Sequence, residues 1–214
     1  MSKISLPTKA KIAALDIDAQ NTFTAVCPDE LPVDGGTEIV AELNAQAKFA
    51  SVRLASRDAH SPAALWLTDE EHPIYSPIDG HKDLDIRWPA HAIVGTKGFD
   101  FLDGLDPKAY DFQAFKGIEI DKHPYGACYH DLADTLSTGV IEFLQAKGIT
   151  TVICGGLALD YCVKTTVLQL RKAGFATILN LAATRGIAPE TCQLALKEMQ
   201  GAGVIFIENA AELA

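Results

Sequence analysis

Short apolar, β-branched runs alternate with longer helix-patterned stretches along most of this chain. Strands joined in sequence by helices must lie parallel, in a sheet that the helices cover on both faces. The pattern predicts a first strand in "KIAALDIDA", a helix in "TEIVAELNAQAKFA", a second strand in "SVRLASRD" and a third in "YDFQAFKG". A helix over "DLADTLSTGVIEFLQAKG", stopped by glycine, leads to a fourth strand, "TTVICGGL". The tail repeats the unit: a helix from about Tyr161 to Ala173, the strand "ATILNLA", a helix from Pro189 to about Gln200 and the strand "VIFIE". The expectation is an α/β fold: a three-layer α-β-α, doubly wound, Rossmann-type architecture on a parallel six-stranded sheet.

One stretch departs from the alternation. Residues 59 to 109 show little periodicity and hold four of the six histidines, yet contain Trp66, Trp88, Phe99 and Phe101. So apolar a segment is expected to pack as a long loop that walls a site. The 214 residues show no repeat or linker and suit a single domain, 1–214.

Charge and cysteine usage narrow the function. The 18 basic and 28 acidic residues give a formal charge of −10, with no basic cluster longer than Arg171-Lys172, which speaks against nucleic acid and anionic membrane surfaces as partners. The start, "MSKISLPTKAKIAALDID", lacks the apolar core of a signal peptide, and no apolar run is long enough to span a bilayer, so a cytoplasmic location is expected. The five cysteines (27, 128, 154, 162 and 192) are scattered and free of any CxxC, unlike a disulfide framework or a cysteine zinc site.

In open parallel sheets chemistry gathers at the carboxyl ends of the strands. Strand one ends at Asp18, strand two at Asp58 with His60 two residues on, strand three at Lys116 and strand four at "GGLALDYC". Cys162 falls in the first turn of the next helix, behind Asp160 as a cap, where exposed N–H groups and the macrodipole favour a thiolate and an oxyanion. The alternative reading of Cys162 is a small buried hydrophobe, a role that suits mid-strand Cys154 better. Asp16 lies two residues before Asp18 on the same face, and spacing alone does not choose between them. Lys116 reads equally as the end of an edge strand. Asp58 and His60 form half a metal site, and a third ligand must come from elsewhere, with His72, His81 and His91 all in the long loop.

Taken in order, "DAQNTF", "SRDAH", "RWPAH", "FKG" and "GLALDYCVKTTVLQL" followed by "ATRG" make the chain resemble the nicotinamidase/pyrazinamidase branch of the isochorismatase-like cysteine hydrolases, from about Ala13 to Asn209. The resemblance implies a triad of Cys162, Asp18 and Lys116, and prefers Asp18 to Asp16 because the family's aspartate stands two residues before Gln20-Asn21. It implies one divalent metal ion, zinc ahead of iron or manganese, on Asp58, His60 and His91. It also implies a cis peptide between Leu157 and Ala158, oxyanion donors at Ala158 and Cys162, and a substrate site formed by Phe23, Trp88, Leu157 and Ala158. The implied reaction is hydrolysis of nicotinamide, and of pyrazinamide, to the acid and ammonia through a cysteine thioester, in NAD salvage. The implied partner is that small molecule, with assembly as a homo-oligomer left open. The alternative is a related cysteine hydrolase acting on another small amide, such as an N-carbamoyl compound. Three positions depart from common family patterns: Thr22 replaces an acid, Leu159 replaces a threonine, and Trp66 stands where some relatives carry a fourth metal-binding histidine.

Overall fold

Strands β1 (Ile12–Ile17), β2 (Val52–Asp58), β3 (Phe112–Lys116), β4 (Thr151–Leu157), β5 (Ala176–Arg185) and β6 (Ile205–Ile207) form one sheet in a computed structural model that describes residues 4–213. Their order is β3-β2-β1-β4-β5-β6, and every neighbouring pair is parallel. Chain direction across the sheet therefore reverses between β1 and β4. A crevice opens at such a switch point because the connections on either side of it depart in opposite directions.

Helices α1 (Val40–Ala47), α2 (Val140–Ala146), α3 (Lys164–Lys172) and α4 (Pro189–Gly201) cover the sheet. Ala13, Leu15 and Ile17 of β1 face Val140, Leu144, Val167, Leu170 and Ala195 of α2, α3 and α4. Ile12 and Ala14 face the other way, toward Ala50, Ile207 and Leu213. All of β1 and β4 is buried, as their unbroken apolar runs require. Burial of side chains this size contributes about 1.5 to 3 kcal/mol each, which fixes the strand ends firmly in place.

Three elements depart from the sequence-based expectation. The helix expected from Asp131 begins only at Val140. The Asp131 carboxylate accepts the N–H groups of Thr135 and Leu136 and the Thr135 hydroxyl, a local turn that competes with helix. Strand β5 runs on to Arg185, beyond "ATILNLA", after a register shift opposite Cys154 and Gly156. The first turn after β4, Leu159–Val163, is a π-turn rather than ordinary α-helix.

Residues 59–106 contain no strand or helix, only isolated bridges such as His60 to Ile93 and Leu67 to Trp88. Trp66, Trp88, Leu84 and Ala64 bury together there as a separate cluster, so the segment is packed. Arg57 pins it from the outside, with its guanidinium 4.4 to 4.7 Å from the rings of Phe99, Phe101 and Phe115. Among the described residues no helix is long and apolar enough to cross a membrane. Cys27, Cys128, Cys154, Cys162 and Cys192 are all free thiols.

Candidate active site

The switch point brings four strand ends together. Asp18 follows β1 with φ 46, a left-handed turn that takes its carboxylate out of strand alternation. Its N–H donates to the Ser56 carbonyl at 3.1 Å, and its Oδ1 accepts from the Ser56 hydroxyl at 2.6 Å. Its Oδ2 lies 3.0 Å from Lys116 Nζ. Lys116 is fully buried and also donates to Asp58, to the Pro124 carbonyl at 3.3 Å and to Cys162 Sγ at 3.6 Å. Carboxylate oxygens of Asp18 and Asp58 and the sulfur of Cys162 lie within 4.8 Å of one another.

The "QN" residues build this geometry from behind. Gln20 accepts the Asp58 N–H at 2.8 Å and donates to the Asp58 and Phe99 carbonyls at 2.9 and 3.0 Å, clamping the end of β2 to the end of β1. Thr22, where the resemblance leads one to expect an acid, donates its hydroxyl to Glu30. The Ala92 N–H reaches Thr22 Oγ1 at 2.9 Å and Glu30 Oε2 at 3.0 Å. A carboxylate is thus present after all, delivered from position 30, and it holds the backbone beside His91.

Burial and the single cation set the protonation states. Burial works against charge on Lys116, but Asp18 and Asp58 together raise its pKa well above that of an ordinary lysine. Burial raises Asp18, with Lys116 opposing it. Burial pushes Asp58 the same way, but Lys116 and His60 outweigh it and hold Asp58 well below the usual carboxylate range. Burial also raises the Cys162 thiol well above its ordinary value, against the pull of Lys116. The sulfur is buried, and the charges of Asp18 and Asp58 beside it work against the pull of Lys116. Asp160 does not cap the turn. Its carboxylate accepts the N–H groups of Ile187 and Ala188 and the Thr191 hydroxyl, and so fixes the start of α4.

The peptide joining Leu157 to Ala158 is cis. The N–H groups of Tyr161 and Val163 both donate to the Ala158 carbonyl, at 3.2 and 3.1 Å, on either side of Cys162. Cys162 opens on a small cavity whose walls include Phe23, Trp88, His91, His123 and Tyr161. Ala158 lines it, but the Leu157 side chain does not. Leu157 instead packs with Phe23, Ile39 and Leu43, because the end of β4 points it into the α1-side core.

A second cluster adjoins the first. His60 Nε2 lies 3.5 Å from Asp58 Oδ1, and His91 Nε2 lies 3.9 Å from Asp58 Oδ2. The Nδ1 atoms of these rings face the carbonyls of Gly117 at 3.0 Å and Pro89 at 2.8 Å. Such contacts place hydrogen on Nδ1 and leave Nε2 as a lone-pair donor, the orientation that metal-binding imidazoles require. His60 Nε2 is buried and has no hydrogen-bond partner among the described residues. Burial lowers the His91 pKa to about 3 and keeps the ring neutral. Gly117, with φ 71, is needed here, because a Cβ would strike the His60 ring. The donor set fits a divalent metal. His72 and His81, the other loop histidines, are exposed, and His72 pairs with Asp69.

Sequence reasoning missed His123, which belongs to neither a motif nor the long loop yet is buried beside His60 and His91. The one signal was its place soon after Lys116, on the connection leaving a strand's carboxyl end. It also missed Tyr125, whose hydroxyl accepts the Trp88 indole N–H at 3.2 Å.

Comparison with known proteins gives a consistent result. The isochorismatase domain model matches residues 13–211. The chain is 28% identical to the nicotinamidase/pyrazinamidase of Mycobacterium tuberculosis, over 91% of this chain and 97% of that one. Its structure is similar to that of an Acinetobacter baumanii nicotinamidase, with TM-score 0.88 and 26% identity over 98% of this chain and all of that one. It is also similar to the Pyrococcus horikoshii pyrazinamidase solved in complex with zinc, with TM-score 0.72 and 27% identity over 92% and 98% of the two chains.

Proposed function

The chain belongs to the isochorismatase family, and from that premise we propose that it is a nicotinamidase: an amidohydrolase that converts nicotinamide to nicotinate and ammonia, and accepts pyrazinamide. The observation that carries this reading is the meeting of Cys162, Asp18 and Lys116 in one buried cluster that opens on a small aromatic pocket.

The resting sulfur is a thiol, so the reaction begins with proton transfer. Asp18, whose proton affinity burial has raised, takes the Cys162 proton as the substrate fills the pocket and excludes water. Lys116 stays charged between Asp18 and Asp58 and holds the new anionic centre in register. The sulfur attacks the carboxamide carbon, and the N–H groups of Ala158 and Cys162 meet the charge that develops on oxygen; loss of one such donor typically costs about 3 to 4 kcal/mol of barrier. Protonated Asp18 returns its proton to the departing ammonia. Water then hydrolyses the thioester with Asp18 again as base, releasing the acid and restoring the thiol.

Phe23 and Trp88 both line the pocket, and in this reading they hold the substrate's aromatic ring between them. Asp58, His60 and His91 are the residues that would hold the divalent ion, zinc first and iron or manganese after it, and such an ion supplies an electrophilic anchor for a pyridine nitrogen. Release of nicotinate suits salvage of pyridine nucleotides, and five free thiols suit a cytoplasmic setting.

The test is ammonia release from nicotinamide by purified protein, before and after chelation and with metal restored. Release that falls on chelation and returns with zinc supports the reading. No release from metal-loaded protein with an intact Cys162 overturns it, and makes N-carbamoyl compounds the next substrates to assay.

A further inference from the structure

Trp66 occupies the place where some relatives carry a fourth metal-binding histidine, and the structure shows what that exchange does. The indole is fully buried, with its ring 4.6, 5.2 and 4.4 Å from those of His60, His91 and His123. Its ring nitrogen is a donor only and offers a metal no lone pair. His123 comes from another segment, the connection that leaves β3. It is buried, and neither of its ring nitrogens has a protein partner among the described residues. A buried imidazole left wholly unpaired is destabilising unless a group outside the polypeptide satisfies it.

Its position says what that is. One ring nitrogen from each of His60, His91 and His123 lies within 4.8 Å of the others. The roughly 3.4 Å edge of a tetrahedron with bonds of about 2.1 Å falls within that span. We propose that His123 is a direct metal ligand in this chain, completing with Asp58, His60 and His91 a site of three imidazoles and one carboxylate, and replacing from another segment the donor that Trp66 withholds. The inference rests on the nicotinamidase reading only for the existence of a metal, and its test needs no substrate. Because Asp58 is also bound by Lys116, the third imidazole offsets the share of that carboxylate taken by the lysine.

The test is binding of Zn²⁺ by chelator competition, together with the visible spectrum of Co²⁺-loaded protein, for the wild type and for His60→Asn, His123→Asn, His123→Cys and, as a surface control, His72→Asn. Second-shell losses cost 10- to 100-fold in metal affinity, so removing a direct ligand should cost roughly 100-fold or more. His123→Asn should therefore weaken Zn²⁺ binding to about the extent of His60→Asn and shift the Co²⁺ bands, while His72→Asn should do neither. His123→Cys should restore affinity and add a thiolate-to-cobalt charge-transfer band absent from the wild type, a signature that a merely structural role would not produce. Wild-type Zn²⁺ affinity and Co²⁺ spectrum in His123→Asn would overturn the proposal, as would a His123→Cys protein that binds Co²⁺ without the new band. If zinc binds through His123 but no ammonia is released, the amide reading fails and this one stands.

Discussion

Asp16 and Asp18 are two residues apart, equally buried, and both pushed by burial toward holding a proton, yet the molecule uses them differently. One oxygen of Asp16 accepts from Arg53 Nε at 2.9 Å, Arg53 Nη2 at 2.6 Å and the Tyr110 hydroxyl at 2.9 Å, in a network among β1, β2 and the segment before β3 that lines no part of the pocket. Asp18 shares its cation with a second carboxylate and faces a thiol at the mouth of a cavity. Burial and a shifted proton affinity are therefore not what distinguishes a working acid. Reach does: Asp18 has beside it the Cys162 thiol, which lines the cavity, whereas Asp16 is closed in by partners that hold the sheet to its loop.

The largest effect should come from exchanging the carboxylates for amides one at a time. Asp18→Asn should lower kcat by about 10³- to 10⁴-fold, the usual cost of disabling one member of a catalytic triad. Asp16→Asn should leave kcat within about threefold. Steady-state ammonia release by the two variants measures both, and equal losses would erase the distinction drawn here.

Next comes a change that strands a charge. Asp16→Leu leaves Arg53, whose side chain is 11% exposed, beside an apolar group. It should cost about 3 kcal/mol of unfolding free energy in denaturant titration.

Titration separates Asp16 from the rest of the molecule. Its pKa is raised from 3.8 to about 6 by burial, against the pull of Arg53. The folded state thus binds this proton more tightly than the unfolded chain. The stability this contributes is complete below about pH 4 and is lost as the pH rises through 6, by up to roughly 3 kcal/mol. Asp16→Asn removes this loss, so its stability relative to wild type should improve between pH 4 and pH 7. Unfolding titrations of the two proteins at those pH values check the sign.

The smallest effects come from a matched pair that removes one hydroxyl from each carboxylate. Ser56→Ala takes the 2.6 Å donor from Asp18 and should lower kcat/KM by roughly tenfold. Tyr110→Phe takes the 2.9 Å donor from Asp16 and should cost about 1 kcal/mol of stability with activity unchanged. Activity loss in Tyr110→Phe would show that the two networks are coupled.

Most of the sheet was legible because buried parallel strands must be continuously apolar: β1, β2 and β4 lie within "KIAALDIDA", "SVRLASRD" and "TTVICGGL". The strand ends offered Asp18, Asp58, Lys116 and Cys162 as candidates, and the family resemblance assigned their roles; alternation left Asp16 as a rival until the motif order, and later the φ of Asp18, separated them. What stayed hidden depends on contacts remote in sequence. Residue 131 reads as helix until its carboxylate is seen capping a turn. The Leu157 side chain leaves the pocket because the end of β4 turns it inward. Glu30 supplies the acid missing at position 22 only once the chain has folded back on itself. His123 gives no periodic signal, and its neighbours His60 and His91 come from distant points of the long loop.

The most direct test of the central claim is to quench the protein in acid during turnover of nicotinamide and map the covalent adduct by peptide mass spectrometry. A nicotinoyl group on Cys162, in the wild type and in Asp16→Asn but not in Asp18→Asn, is the expected result. Turnover in the wild type with Cys162 unmodified under conditions that trap a reference thioester, or an adduct forming in Asp18→Asn at the wild-type rate, would contradict it.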